Sequence, residues 1–162
     1  MMTADPPTPV VVRPFTPEDA PLRARPARRL HPGRTVSPRD PAALAEFLDR
    51  FGQGEATMAE GTESFVADLG GRPVGLLVLH PENDPFTGPP RAYVDVLAVA
   101  EDAEGRGAAG ALMRFAEAWA SKHGCHEVCL DVFAGNERAI AFYEKAGYRP
   151  DHARKAKPVD PS

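Results

Sequence analysis

One stretch constrains this chain more than any other. An apolar strand candidate, Arg91-Ala92-Tyr93-Val94-Asp95-Val96-Leu97-Ala98-Val99, leads through Glu104-Gly105-Arg106-Gly107-Ala108-Ala109-Gly110 into a helical stripe. In that stripe Ala109, Leu112, Met113, Ala116 and Ala120 recur at helical spacing, Trp119 borders them, and Gly124 ends the helix. Where a strand turns into a helix through glycines, the backbone can approach a ligand closely. The first-turn N–H groups of the helix point outward without helical partners. The helix dipole adds partial positive charge at the same place, so the turn is read as an anion site suited to a diphosphate.

The rest of the chain supplies a mixture of elements. Val10-Val11-Val12-Arg13, closed by Pro14, reads as a first strand. Thr16-Pro17-Glu18-Asp19 starts a helix that Pro21 and Pro26 keep short. Asp40-Pro41 starts another, with Leu44, Phe47, Leu48 and Phe51 on one face and Gly52 and Gly54 at its end. Ser64–Leu69 and Pro73–Leu79 flank Gly70-Gly71-Arg72, the pattern of a β-hairpin, and Glu82 to Pro90 reads as a polar loop. Glu127–Phe133 is a last strand, and Asn136–Ala146 an amphipathic helix stopped by Gly147. Antiparallel pairs followed by a strand–helix–strand unit indicate an α+β, or mixed α/β, single domain.

A chain of 162 residues is long enough for one domain with its own core. We place it at residues 10–150, between a lead (1–9) and a tail (151–162) whose prolines predict disorder. The net charge of −4 argues against a nucleic-acid partner, and no apolar run is long enough to cross a membrane. The opening Met1-Met2-Thr3-Ala4-Asp5-Pro6-Pro7 lacks the pattern of a signal peptide, so the expectation is a cytoplasmic protein with Cys125 and Cys129 as reduced thiols. From Pro21 to Asp40 the chain is rich in arginine (Arg23, Arg25, Arg28, Arg29, Arg34, Arg39). It reads either as a solvated irregular segment or as a basic lip over an anionic ligand.

The glycine turn also spells Gly-x-Gly-x-x-Gly, the dinucleotide fingerprint, and Asp131 lies about twenty residues on, where a ribose-binding acid belongs. A doubly wound domain needs several strand–helix units after that turn, and only one strand and one helix clearly follow. The Walker form lacks its Gly-Lys-Ser/Thr. A different pattern fits better. Glu104-Gly105-Arg106-Gly107-Ala108-Ala109 resembles the Gln/Arg-x-x-Gly-x-Gly/Ala signature of the GNAT superfamily of acetyl-CoA-dependent N-acyltransferases, departing at its first position. Asn136, Ala139, Phe142, Tyr143, Gly147 and Tyr148 match in full that family's second element, Asn-x-x-Ala-x-x-Phe/Leu-Tyr-x-x-x-Gly-Phe/Tyr. The resemblance runs from about Tyr93 to Tyr148, extends plausibly to Val12-Arg13-Pro14, and is weak from Pro21 to Gly61.

The resemblance implies a central mixed, mostly antiparallel twisted sheet flanked by helices. It implies acetyl-CoA as cosubstrate, no metal, and direct transfer of the acetyl group to a primary amine. Glu104, Gly105, Arg106, Gly107, Ala108, Ala109 and Gly110 would hold the diphosphate. The backbone of Leu97, Ala98 and Val99 would pair with the pantetheine arm, in a strand splayed from its neighbour, and polarise the acetyl carbonyl. Asn136 would contact the CoA chain and Tyr143 would protonate the leaving thiolate. Asn136, Ile140 and Tyr143, at i, i+4 and i+7, share one helix face, which suits both roles. An alkyl ammonium near pKa ~10.4 must lose a proton before it attacks, and the resemblance offers Asp131 and Asp95 as acids for that role.

Glu104 puts a carboxylate where it would repel a diphosphate, unless it turns to Arg106 or to the helix start. A GNAT-like domain that binds acyl-CoA without catalysis, as a sensor or accessory subunit, is therefore a second expectation. The acceptor stays open among small amines, antibiotics, amino acids, lysines and protein termini, and a homodimer is compatible with the pattern. His123, Cys125, His126 and Cys129 lie too close along one turn and strand to converge on zinc.

Overall fold

The computed structural model describes residues 7–24, 40–54 and 57–162. Five strands form one sheet in sequence order: β1 (Val10–Pro14), β2 (Glu63–Leu69), β3 (Arg72–Asn83), β4 (Pro90–Val99) and β5 (Val128–Leu130). The first four pair antiparallel, and β4 and β5 pair parallel. Among the described residues, two 3₁₀ segments (Pro17–Arg23 and Glu101–Ala103) and three α-helices complete the fold: α1 (Pro41–Gln53), α2 (Ala108–Lys122) and α3 (Glu137–Lys145). The parallel pair forces a crossover, and α2 supplies it. This is the mixed, mostly antiparallel sheet flanked by helices that the sequence implied.

The sheet has two covered faces. Gly75, Leu77 and Leu79 on β3 and Ala92 and Val94 on β4 meet α2, whose Ala108, Leu112, Met113, Ala116, Trp119 and Ala120 are buried. Fully burying side chains such as Leu112 and Met113 contributes roughly 1.5–3 kcal/mol each. The stripe has slipped by one position at its start, because Ala108 is buried and Ala109 only half-buried. At Gly75 an added Cβ would stand 3.0 Å from Leu112 Cδ1, so glycine lets α2 approach the sheet. On the opposite face Leu76 and Val78 pack with Val96, Phe15 and Phe51 of α1.

Several boundaries differ from expectation. Helix α1 buries Leu48 and Phe51 and half-buries Leu44, while Phe47 is 48% exposed, since the i, i+4, i+7 stripe leaves it on the flank. Gly54, at φ 78°, caps that helix; Gly52 sits inside its last turn against Ala24. Strand β3 continues to Asn83, so the loop expected from Glu82 begins two residues later. Strand β5 spans three residues instead of seven, because it is an edge strand paired only with Ala92–Val94. The paired Gly70 and Gly71 both have positive φ and close the β2–β3 hairpin. Residues 151–162 are exposed and take no regular structure. The arginines from Arg25 to Arg39 lie outside the described residues. Arg23, which is described, lies over the Phe15 ring, 4.5 Å from its centroid.

The first strand is tied down by charge. Arg13 donates to both carboxylate oxygens of Asp19 (2.7 and 2.8 Å) and to Asp68 (2.6 Å). Asp19 also accepts from the Thr16 N–H and hydroxyl, so one buried carboxylate caps the 3₁₀ segment and holds it to β1.

Candidate active site

The glycine turn has the open geometry an anion site needs. After a short 3₁₀ segment (Glu101–Ala103), Gly105 and Gly107 take φ of 73° and 84°, values that side chains disfavour. No atom outside the neighbouring residues stands within 4 Å of a Cβ built on either, so backbone conformation rather than crowding calls for glycine here. Gly107 is the N-cap of α2 and offers no side-chain cap, which leaves the amides of Ala108, Ala109 and Gly110 without a capping partner from it. Arg106 is exposed beside them. Glu104 reaches across to α3. Its carboxylate pairs with the Arg138 guanidinium at the start of α3. That cation offsets the charge that a diphosphate would otherwise meet.

Strand β4 carries the second element. Its ladder to β3 slips between Val78 and Leu79: Val78 faces Val96 and Leu79 faces Val94, so Asp95 is an extra residue in β4. This bulge reverses the facing of the later residues in the strand. Ala92 and Val94 face α2 before it, Leu97 and Val99 after it. On the other side, pairing with β5 ends at Val94–Leu130. Leu97, Ala98 and Val99 therefore pair with β3 while β5 no longer covers their outer edge. The ladder thus stops where the resemblance implies a splay.

Helix α3 closes the site on the α2 side of the sheet. Asn136 is its N-cap, and its Oδ1 accepts from the Ala139 N–H at 3.2 Å. The expected stripe thus begins with a capping residue, whose Nδ2 is the group left for a ligand. Tyr143 packs with Phe142 and Tyr148 against the main core, and Tyr148 is anchored by Glu117 of α2 at 3.0 Å. Among the described residues the Tyr143 hydroxyl has no hydrogen-bond partner, and burial pushes its pKa up to about 12.

A polar cluster lies at the β4–β5 split, on β3, β4 and the residue after β5. Asp95 Oδ2 is 2.7 Å from His80 Nδ1. Tyr93 donates its hydroxyl to Asp131 at 2.8 Å, and its ring lies 5.3 Å from that of His80. Asp131 sits just beyond β5 rather than within a strand. Burial raises the Asp95 pKa, and the His80 hydrogen bond opposes that rise. Arg91 is engaged by Glu82 and Asp84. Cys129, near Glu82 and the Ala92 carbonyl, has its thiol pushed up to about 12, chiefly by burial, so it is no nucleophile at neutral pH.

Sequence reasoning missed His80, Tyr93 and Arg138. The signal for His80 was a lone imidazole continuing the Leu76–Val78 alternation of an apolar strand. Arg138 had none, because its partner lies 34 residues away. The His and Cys group near the end of α2 has other contacts: His123 stacks on Trp119 and Cys125 is buried in the core. Among the described residues no group of three or more His, Cys, Asp or Glu could hold a metal ion.

The residues present fit a long ligand with a diphosphate at one end: a glycine turn opening a helix, a strand segment beyond the end of the β4–β5 ladder and a phenol on the adjoining helix. The fold has known counterparts. A putative acetyl transferase from Pyrococcus furiosus superposes with a TM-score of 0.74 at 22% identity, over 93% of this chain and 100% of that one. A transcriptional regulator from Bacillus halodurans gives 0.68 at 22%, over 93% and 99%. A ribosomal-protein-alanine N-acetyltransferase from Brucella melitensis gives 0.63 at 20%, also over 93% and 99%. At such identity these likenesses speak for the fold. A comparison with curated protein sequences finds no match. Residues 26–148, most of the chain, match the acetyltransferase (GNAT) family, and with the glycine turn and the split sheet in place the protein belongs to that family.

Proposed function

We propose that this protein is an N-acetyltransferase that moves the acetyl group of acetyl-CoA directly onto a primary amine. The observation that carries the reading is the bulge at Asp95. It sets a carboxylate on β4 where the β4–β5 ladder ends, within the cluster of His80, Tyr93 and Asp131. Bound acetyl-CoA supplies the activated acyl group. The amides after Gly107 and the Arg106 side chain hold the diphosphate, and the backbone of Leu97, Ala98 and Val99 orients the pantetheine arm. Asn136 contacts the same arm. A backbone N–H of the β4 edge polarises the carbonyl.

Asp95, directly or through one water, takes the proton from the incoming ammonium. Burial raises its pKa and so makes it a stronger base than an exposed aspartate. Asp131, which accepts from Tyr93, adds a second negative charge on this side, and a cationic amine complements both carboxylates. Tyr143 hydrogen-bonds the departing thiolate. One similar fold is that of a ribosomal-protein-alanine N-acetyltransferase and another that of an aminoglycoside acetyltransferase, so peptide termini and aminoglycosides are both classes to test.

The test is an acetyl-transfer screen across small amines, aminoglycosides, amino acids and peptide termini, read by release of free thiol. The expected result is turnover with at least one cationic class, abolished in Asp95→Asn. Acetyl-CoA binding by calorimetry with no turnover on any class would refute the enzyme and leave an acyl-CoA-binding domain.

A further inference from the structure

Strand β3 is apolar along both faces until it reaches His80, which is buried and aimed at the reacting side of β4. An imidazole costs free energy to bury unless its ring nitrogens are used. Here Nδ1 meets Asp95 Oδ2 at 2.7 Å, while Nε2 lies 3.9 Å from Glu82, beyond hydrogen-bond reach. His80 also faces the Tyr93 ring, whose hydroxyl is held by Asp131. Arg91 and Cys129 stand beside Glu82 on the same side. The Asp95 side chain is 23% exposed while the residue as a whole is exposed, so the bulged backbone is open and the carboxylate is held inward by His80.

We infer that His80 is a positioning residue for the acetyl-transfer base: its Nδ1–H, donated to Asp95 Oδ2, fixes the carboxylate rotamer so that the other oxygen, Oδ1, faces the acceptor amine. This rests on the reading of Asp95 as the base. In the step itself an N–H bond of the ammonium breaks and an O–H bond forms on Asp95; the freed amine lone pair forms the C–N bond, the C–S bond breaks, and the nitrogen's second proton ends on the departing CoA thiolate, giving the amide and free thiol. His80 neither gains nor loses a proton. Its hydrogen bond also stabilises the ionised carboxylate against the burial that disfavours it, so Asp95 remains a base in the pH range where burial alone would leave it protonated.

Removing the Nδ1–H donor raises the Asp95 pKa further, and the acid limb of kcat/KM moves to higher pH. His80→Leu removes the donor. His80→Asn restores an N–H near the Nδ1 position, whereas His80→Gln carries its amide to the Nε2 position. The experiment measures the pH profile of kcat/KM for each, beside melting temperature. In the ligand-free protein it also measures the titration of the Asp95 carboxyl by 13C NMR.

Leu and Gln should lower kcat/KM at neutral pH about 10-fold or more, the rate equivalent of one hydrogen bond to a charged group. Both should move the acid limb and the NMR titration upward, and Asn should bring both back. Should the leucine variant fail to fold, the Asn–Gln contrast carries the test alone. A folded Leu or Gln variant with the parental titration and acid limb, while Asp95→Asn is inactive, overturns the role of His80. A fully active Asp95→Asn overturns the base itself, and the two failures are thereby distinguished.

Discussion

Replacing Tyr143 with phenylalanine removes one hydroxyl and keeps the ring against Phe142 and Tyr148. Proton affinities set the size of the expected loss. A thiol like that of CoA ionises near ~8.5, whereas burial holds the Tyr143 phenol at about 12. Complete transfer of the phenolic proton to the thiolate is thus uphill by roughly 3.5 pK units, or about 5 kcal/mol. The hydroxyl therefore acts mainly by hydrogen-bonding the developing charge, which is worth about 1.5–3 kcal/mol. That corresponds to a drop of about 10- to 150-fold in kcat, at the modest end for a general acid. Acetyl-CoA affinity should hardly change, because the charge appears only in the transition state. With a pKa near 12 the phenol stays protonated through the working range, so the parent-to-variant rate ratio should be flat from about pH 6 to pH 10. The assay is steady-state kcat on the best acceptor across that range, with calorimetry of acetyl-CoA and melting temperature as controls. A rate within about threefold of the parent, well under one such hydrogen bond, removes Tyr143 from the mechanism. A parental basic limb near pH 8–9 that vanishes in the variant refutes the pKa argument.

Asp19→Asn should cost about 2–4 kcal/mol by urea denaturation near pH 7, since a carboxylate 4% exposed loses a bidentate arginine. Asp19 is held below its ordinary pKa, chiefly by Arg13, so its contribution is complete above about pH 4 and shrinks by up to about 1.4 kcal/mol per pH unit below that; a difference from the parent that does not narrow on acidification contradicts this. Arg138→Ala removes the arginine that offsets Glu104 beside the glycine turn, so acetyl-CoA should bind more weakly, most of all at low salt, with adding Glu104→Gln restoring affinity. Equal calorimetric affinities in all three proteins would show that the pair does not bear on the diphosphate.

The sequence by itself determined the features that depend on near neighbours. The Gly105–Gly107 turn follows a strand and opens a helix because only glycine accepts those dihedrals, and the α2 stripe announces its buried face by spacing. The Gly70-Gly71 hairpin and the Asp40 cap are likewise local chemistry, with Asp40 accepting from the Ala42 and Ala43 amides. The motif from Asn136 to Tyr148 identified α3 before any coordinates, and Asp95 and Asp131 could be named as acids. The tertiary structure decided whatever depends on register. No pattern in Tyr93-Val94-Asp95-Val96-Leu97 marks Asp95 as the extra residue. The slip exists only relative to Val78 and Leu79 on β3, and it decides which side chains face α2. The end of the β4–β5 ladder at Val94, the His80–Asp95 contact, the Tyr93–Asp131 contact and the Glu104–Arg138 pair join residues 15 to 38 positions apart, and such distances close only when the sheet assembles. A carboxylate's identity is written in the chain, but its partner, and hence its affinity for a proton, is set by the strand beside it.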